Sequence, residues 1–412
     1  MKAKSPSFRW LILAGCCVLQ GVGLGIVNNC SSLFYVPVAE NLGFSIGSIS
    51  LTGTITGGVC ALAMLLTNWL LRRIDIRLLL SLSVVISGLS ILATAFSTQL
   101  WQWYAASVGI GLGNAFLTSL LPPIILRNWF DRKSGSAIGI STAFASLTGI
   151  LFSMLLGLLL DRYPWQPVRI FTALIIMAMA LPFTLFIIRY RPRDVGLQPY
   201  GWDGGDQAAA LRHAGDEQSP PLSALLRQRT FWLCMAFFSI IRVCNAYQHH
   251  VTIYGVSIAY DLTSPTLLTT MFMVGGIISK ILIGFLCDRF SEKACALASL
   301  AVIAAGFALS ATGWDWAVLL GSGLFGVVSS VSVVLIAIII GRFYQGGTYN
   351  QVFSYVSVLT VILYSLSVSV YGFGYDILGS YVPLQLACIA LLTLGAVVLL
   401  ALYRSKKSVP SL

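Results

Sequence analysis

Charge is what this 412-residue sequence has least of: 9% of it is Asp, Glu, Lys or Arg, against 57% hydrophobic. A water-facing surface needs about a quarter of its residues charged, so this composition excludes a soluble globular domain and implies lipid as the main solvent. Histidine is nearly missing too, at three residues, and neither a repeated CxxC nor a Gly-rich phosphate loop occurs. A metal or nucleotide site therefore has little to be built from, and no metal and no cofactor is expected. Cys16, Cys17, Cys30, Cys60, Cys234, Cys244, Cys287, Cys295 and Cys388 fall in or beside apolar runs and read as small apolar fillers. No nucleophile, base and orienting group converge, so no catalytic residue and no enzyme is expected.

What is present is a series of apolar runs long enough to cross a bilayer, which takes about 20 residues at about 1.5 Å of rise each. Twelve qualify: 10–35, 47–71, 78–97, 101–126, 135–160, 168–188, 231–258, 266–286, 294–313, 317–340, 349–374 and 381–403. Runs this long without alternation exclude a barrel and leave helices, hence an all-α integral membrane fold. Leu13-Ala14-Gly15-Cys16 spells a lipoprotein-like cleavage box, but the apolar run continues well past it and reads as span 1.

The net charge of +11 could have meant nucleic acid, anionic lipid or an anionic substrate. With a cytoplasmic N-terminus, 21 of the 25 basic residues fall in inside segments and only Arg162 and Arg169 in outside loops. Most of the excess is thus a topology signal that puts both termini in the cytoplasm, in the inner (plasma) membrane, and removes nucleic acid as a partner. The expected partners are the bilayer and a small substrate, with the chain working as a monomer.

Residues 189–230 form the one long polar segment and read as a cytoplasmic linker between units 1–188 and 231–412, with six spans on each side. A duplicated six-helix unit follows, and the loops support it: Asn68-Trp-Leu-Leu-Arg72-Arg73-Ile-Asp75-Ile-Arg77 and Gly284-Phe-Leu-Cys-Asp288-Arg289-Phe-Ser291-Glu292-Lys293 lie 216 residues apart. Arg73 aligns with Arg289 and Arg77 with Lys293.

These loops resemble the cytoplasmic gate motif G-x-x-x-D-R-x-[GS]-x-[KR] of the major facilitator superfamily of secondary transporters. The second copy matches it, while the first carries Asn68, Arg72 and Asp75 in place of the glycine, the aspartate and the second glycine. Trp129-Phe-Asp131-Arg132-Lys133-Ser-Gly135, Arg193-Asp194-Val-Gly196-Leu-Gln-Pro199 and Gly374-Tyr-Asp376-Ile-Leu-Gly379 are similar to the branch holding monocarboxylate and oxalate/formate porters. The resemblance implies two pseudo-symmetric six-helix bundles and alternating access around a site near the midplane.

Two cations remain inside spans, Arg242 in span 7 and Lys280 in span 8, whereas all fourteen acidic residues lie in loops or at span ends. A charge in low dielectric costs several kcal/mol unless it is paired or reaches water, so such residues mark pathways. Arg242 lies about 16 Å into its span, near the midplane. Asn245 and His249 follow at i+3 and i+7 on the same face. Arg242 reads either as an anion-binding residue or as one satisfied by carbonyls of a broken helix. Lys280 lies close enough to the cytoplasmic end to snorkel. The resemblance makes it a substrate contact, since family members carry a basic residue four positions before the motif glycine, here Gly284.

Asn28, Ser32 and Tyr35 in span 1, and Ser354, Ser357 and Tyr364 in span 11, form polar stripes that either face a central cavity or join helices. Pro122 and Pro123 should bend span 4. Gly109, Gly111 and Gly113 with Gly135, Gly139 and Gly149 read as surfaces along which helices slide.

The expected function is transport of a small organic anion, a mono- or dicarboxylate, by exchange or facilitated movement. Proton-coupled porters of the resembled branch carry an aspartate one turn before the span 8 cation, where this chain has Gly276. Proton symport would then fall to His249 or His250. Export of lipophilic compounds is the further alternative, although the membrane-embedded acid common to such exporters is missing.

Overall fold

The computed structural model describes residues 7–71, 73–118, 121–130, 134–201, 222–262, 264–344 and 346–405. Twelve segments are long and apolar enough to cross a membrane. They are span 1 (Phe8–Leu42), span 2 (Ile46–Met64), span 3 (Ile76–Thr94), span 4 (Leu100–Trp129), span 5 (Ala137–Leu160) and span 6 (Trp165–Ile187), then span 7 (Arg229–Ser257), span 8 (Thr266–Cys287), span 9 (Glu292–Ala311), span 10 (Asp315–Phe343), span 11 (Gln351–Leu378) and span 12 (Val382–Ser405). Each coincides with one expected run, and the differences lie at the ends. Span 1 continues past residue 35 because the chain restarts as the helix Tyr35–Leu42, which stops at Gly43 in the left-handed region at φ 71°. Among the described residues β pairing is limited to an isolated bridge between Phe130 and Tyr200.

The chain divides into two compact units, Met1–Asp203 and Gly204–Leu412. Within the first, span 4 packs on spans 2 and 3, span 3 on span 6, and span 1 on span 5. Within the second the same pairs recur six spans later: span 10 packs on spans 8 and 9, span 9 on span 12, and span 7 on span 11. Small residues make the close pairs. A Cβ at Gly111 of span 4 would sit 2.5 Å from the Thr56 carbonyl oxygen of span 2, and one at Gly326 of span 10 would collide with the Phe272 carbonyl of span 8. These helices are in near-backbone contact. Gly139 differs, since a Cβ there meets nothing within 4 Å and its expected role as a contact surface has no neighbour.

The first and fourth span of each unit are interrupted. Span 1 runs as an α-helix over Phe8–Gln20, widens to π-type turns over Gly21–Asn28 and tightens to a 3-10 turn at Ser31–Phe34. Span 7 is α-helical over Arg229–Ala246, tightens to a 3-10 turn at Tyr247–His250 and resumes at Val251–Ser257. Span 4 ends one helix at Leu117 and begins another at Leu121, and span 10 carries π-type turns at Val331–Leu335. Pro122 and Pro123, expected to bend span 4, stand in the helix Leu121–Trp129 just after residues 119–120, which lie outside the described ones.

The polar segment after span 6 begins by folding onto unit 1. Trp129 Nε1 donates to the Arg189 carbonyl at 2.9 Å, the Tyr200 N–H donates to the Trp129 carbonyl at 2.8 Å, and the Tyr200 ring meets those of Trp10 and Phe130 at 5.7 and 5.9 Å. Residues 202–221 lie outside the described residues, as do Arg72 and Asp131, Arg132 and Lys133.

Candidate functional site

The second unit gathers the polar side chains of span 7 around the point where its helix tightens. Arg242, Asn245 and His249 follow at helical spacing, and each offers an atom that none of the described residues engages. Among the described residues no hydrogen-bond partner reaches Arg242 Nε, Asn245 Oδ1 or His249 Nδ1, although all three atoms are buried. Buried polar groups are almost always bonded, so three orphans on one face of one helix form a coherent set.

Their other atoms are fixed by neighbours. Asn245 Nδ2 donates to Ser332 Oγ of span 10 at 3.4 Å, while the Ser332 hydroxyl donates its own proton to the Val328 carbonyl at 2.9 Å. Ser332 can therefore only accept from Asn245, which sets the amide with its nitrogen inward and leaves Oδ1 as the open end. His249 Nε2 lies 2.8 Å from the Tyr364 hydroxyl of span 11, and Gln248 Nε2 donates to the same hydroxyl. The Tyr364 hydroxyl thus joins Gln248 and His249 and also lies within electrostatic reach of Arg242. The face presents the Arg242 Nε donor, the Asn245 Oδ1 acceptor and the open His249 Nδ1.

His250, the adjacent residue, is the opposite case. Its Nε2 donates to the Val368 carbonyl at 2.8 Å and its Nδ1 meets the Tyr381 hydroxyl at 2.9 Å. A carbonyl only accepts, so the proton sits on Nε2 and Tyr381 donates to Nδ1. Behind it Gln385 of span 12 donates to the Tyr247 hydroxyl at 2.7 Å, and Tyr247 packs edge-on to Phe307, Phe325, Tyr371 and Tyr381. This aromatic wall anchors the 3-10 turn.

Lys280 is half-buried on span 8. The preceding turn is closed by serines: Ser279 Oγ lies 2.5 Å from Ser330 Oγ, so one hydroxyl donates to the other, which in turn donates to the Gly276 carbonyl at 3.2 Å. A Cβ on Gly276 would stand 2.7 Å from Ser329 Oγ. On span 11, Ser357 is half-buried and its carbonyl accepts from Thr360, while the side chain of Ser354 lies outside the described ones.

In the first unit Asn28 is half-buried and lends its carbonyl to Ser31 Oγ at 2.9 Å, and Ser32 Oγ is buried with no hydrogen-bond partner among the described residues. Tyr35 bonds to Thr52 and Ser31 and lies within electrostatic reach of Arg169. Arg169 corrects the loop assignment made from sequence: it belongs to the helix Trp165–Pro182, is 8% exposed, and donates from Nε to Thr94 Oγ1 at 2.9 Å. Its guanidinium lies 4.6 Å over the Phe34 ring and 5.9 Å from that of Trp103. Arg169 is therefore a buried cation within a span, as Arg242 and Lys280 were expected to be.

Of the gate-motif residues, Arg289 is exposed with its guanidinium 4.7 Å over the Phe285 ring, Lys293 is half-buried, Arg73 is exposed, and the Arg77 N–H caps onto Asp75 at 2.8 Å. The side chains of Gly284 and Asp288 lie outside the described ones. Nearby, Arg342 of span 10 pairs with Glu292 of span 9 at 3.1 Å. Sequence reasoning missed Gln248, Ser332, Tyr381 and Gln385, whose roles depend on which helix lies opposite.

The twelve spans, the repeat of the packing and the broken first and fourth helices of each unit define a major facilitator fold. The chain belongs to the Major Facilitator Superfamily, whose model matches residues 13–266. It is similar to the probable transporter MCH2 of Saccharomyces cerevisiae, 24% identical over 69% of this chain and 58% of that protein. It is also similar to the mouse glucose-6-phosphate exchanger SLC37A2, 24% identical over 60% of this chain and 55% of the relative. It thus spans somewhat over half the length of each. The solved nucleoside transporter NupG shares the fold with a TM-score of 0.75 at 11% identity, over 95% of this chain and all of the other.

Proposed function

We propose that this transporter carries a small organic anion, a mono- or dicarboxylate, by alternating access through exchange or facilitated movement, with Arg242 binding the carboxylate. The observation that carries the reading is the buried Arg242 Nε, which meets no hydrogen-bond partner among the described residues. A guanidinium offers a carboxylate both charge and N–H donors in a planar fork. The named cargo of the mouse relative is itself an anion moved by an exchanger, which is consistent with this. Lys280 supplies a second charge, Tyr364, Asn245 and Ser357 line the substrate site in the second unit, and Asn28, Ser32 and Tyr35 are the substrate contacts expected of the first. Arg289, Lys293, Arg73 and Arg77 with Gly284 and Asp288 act at a cytoplasmic gate. The chain works as a monomer in the inner (plasma) membrane with both termini in the cytoplasm.

The test is uptake of labelled mono- and dicarboxylates into proteoliposomes by the wild type, Arg242→Gln and Lys280→Gln. Uptake is expected to collapse in the first and weaken in the second; undiminished uptake in both sinks the assignment. Proton symport is the second reading, favoured by the open Nδ1 of His249. His250 has both nitrogens engaged, so that reading narrows to one histidine. Strong acceleration by an imposed pH gradient, lost in His249→Gln, would establish it over exchange.

A further inference from the structure

In the first unit two arginines meet where span 3 begins and span 6 ends. Ser81 Oγ of span 3 donates to Thr184 Oγ1 of span 6 at 2.9 Å and holds these two ends together. Arg77 stands in the first turn of span 3, its backbone N–H fixed by Asp75 Oδ1 at 2.8 Å. Arg189 follows span 6 by two residues, and span 4 fixes its backbone: Trp129 Nε1 donates to its carbonyl at 2.9 Å and Asn128 Nδ2 to that of Tyr190 at 3.2 Å. Burial and the nearby Arg77 guanidinium push the Arg189 pKa below its usual value, and Asp75 and Asp194 offset this only in part. Both carboxylates are engaged as caps, Asp75 on the Arg77 N–H and Asp194 on the Arg191 N–H at 3.0 Å. Among the described residues neither arginine makes an ion pair. The fold thus holds two repelling guanidinium groups in place without neutralising them, and an anion between them would remove the repulsion.

The neighbouring surface says which anion. Leu78 and Leu82 of span 3 and Leu185 and Phe186 of span 6 are exposed, all within about 8 Å of helix rise from the two arginines. Exposed large apolar side chains on a span face acyl chains, so the guanidinium pair stands at the level of a headgroup with a tail surface beside it. We infer that Arg77 and Arg189 bind the phosphate of an anionic phospholipid whose acyl chains lie against Leu78, Leu82, Leu185 and Phe186. Guanidinium forks match phosphate oxygens, and a headgroup with net negative charge complements the pair where the ammonium of a zwitterionic one would add a further positive charge. The site is independent of the Arg242 face and of the cargo proposed for it.

The experiment titrates the purified full-length protein in detergent with phosphatidylglycerol, phosphatidylcholine or inorganic phosphate. Thermal shift and the amount of lipid retained per protein are the readouts. Phosphatidylglycerol is expected to raise the melting temperature and to bind about ten-fold more tightly than phosphatidylcholine, and inorganic phosphate to do neither. Arg189→Gln and Arg77→Gln should each weaken phosphatidylglycerol about five-fold, with the lipid-free protein at least as stable as the wild type because the repulsion is gone. Arg193→Gln, which removes an exposed charge from the same segment, should keep the preference, and Phe186→Asn should weaken phosphatidylglycerol with both arginines present. Equal binding of the two lipids would overturn the inference. So would an equal loss in Arg193→Gln and Arg189→Gln, which marks bulk charge, or stabilisation by inorganic phosphate to the same extent. A drop in lipid-free stability in Arg189→Gln with the lipid preference intact would make Arg189 a structural residue and overturn its assignment.

Discussion

Arg169 in the first unit and Arg242 in the second each stand within a span with no carboxylate partner among the described residues, and the two are handled in opposite ways. Arg169 is enclosed: its Nε is bonded to Thr94, and the Phe34 and Trp103 rings cover its guanidinium. Arg242 keeps its Nε buried and unbonded, on a helix face with two further unmet atoms. The same residue type under the same solvent constraint thus serves as a fastener in one unit and an open hand in the other. An intramembrane cation alone does not mark a binding site; what separates the two is whether the protein has already spent its hydrogen bonds.

That contrast is sharpest under substitution. Arg242→Gln should lower anion uptake by about 100-fold, the cost of removing one partner of a buried charged contact, while leaving thermal stability unchanged or slightly raised. Arg169→Gln should do the reverse, destabilising the protein by about 2–4 kcal/mol through loss of a charge-assisted bond and two ring contacts, with uptake per folded molecule retained. Thermal unfolding in detergent beside uptake normalised to folded protein reads both, and a stability loss in Arg242→Gln would end the comparison. Next in size are the two histidines. His250→Ala should cost about 2 kcal/mol by stranding Tyr381 and the Val368 carbonyl, whereas His249→Ala should spare stability and weaken binding about ten-fold. Smallest is Tyr364→Phe: without the hydroxyl 2.8 Å from its Nε2, His249 loses its orientation, and a few-fold rise in apparent KM at unchanged melting temperature is expected.

The twelve spans and their division six and six were legible because apolar length and basic loops are properties of contiguous sequence. Arg242 was legible for the same reason, standing deep in its run. Arg169 was not, since it lies a single turn inside the helix Trp165–Pro182 and hydropathy cannot tell a charge at a mouth from one under a lid. Its lid comes from spans 1 and 4, which only folding brings over it. The span 1 break had a local signature in Gly21, Gly23 and Gly25, where a Cβ on Gly25 would stand 2.6 Å from the Ala145 carbonyl. The span 7 break has neither Gly nor Pro at Tyr247–His250 and is held by Tyr381, Val368 and Gln385, all more than a hundred residues away. The polarity of Asn245 was visible in sequence, but not which end of its amide lies open, because that depends on where Ser332 sends its proton.

The serine-closed turn around Gly276 bears on how easily this lineage could change its energy source. Position 276 is where proton-driven porters of the resembled branch keep an aspartate, yet any side chain begun there meets Ser329 Oγ at 2.7 Å, and its carbonyl already accepts from the Ser279–Ser330 pair. An acid gained by mutation at 276 would have to turn the Ser329 hydroxyl aside, and that hydroxyl now donates to the Gly326 carbonyl at 2.9 Å. Under the exchange reading, proton drive gained at this position would therefore come with the loss of that Ser329–Gly326 bond.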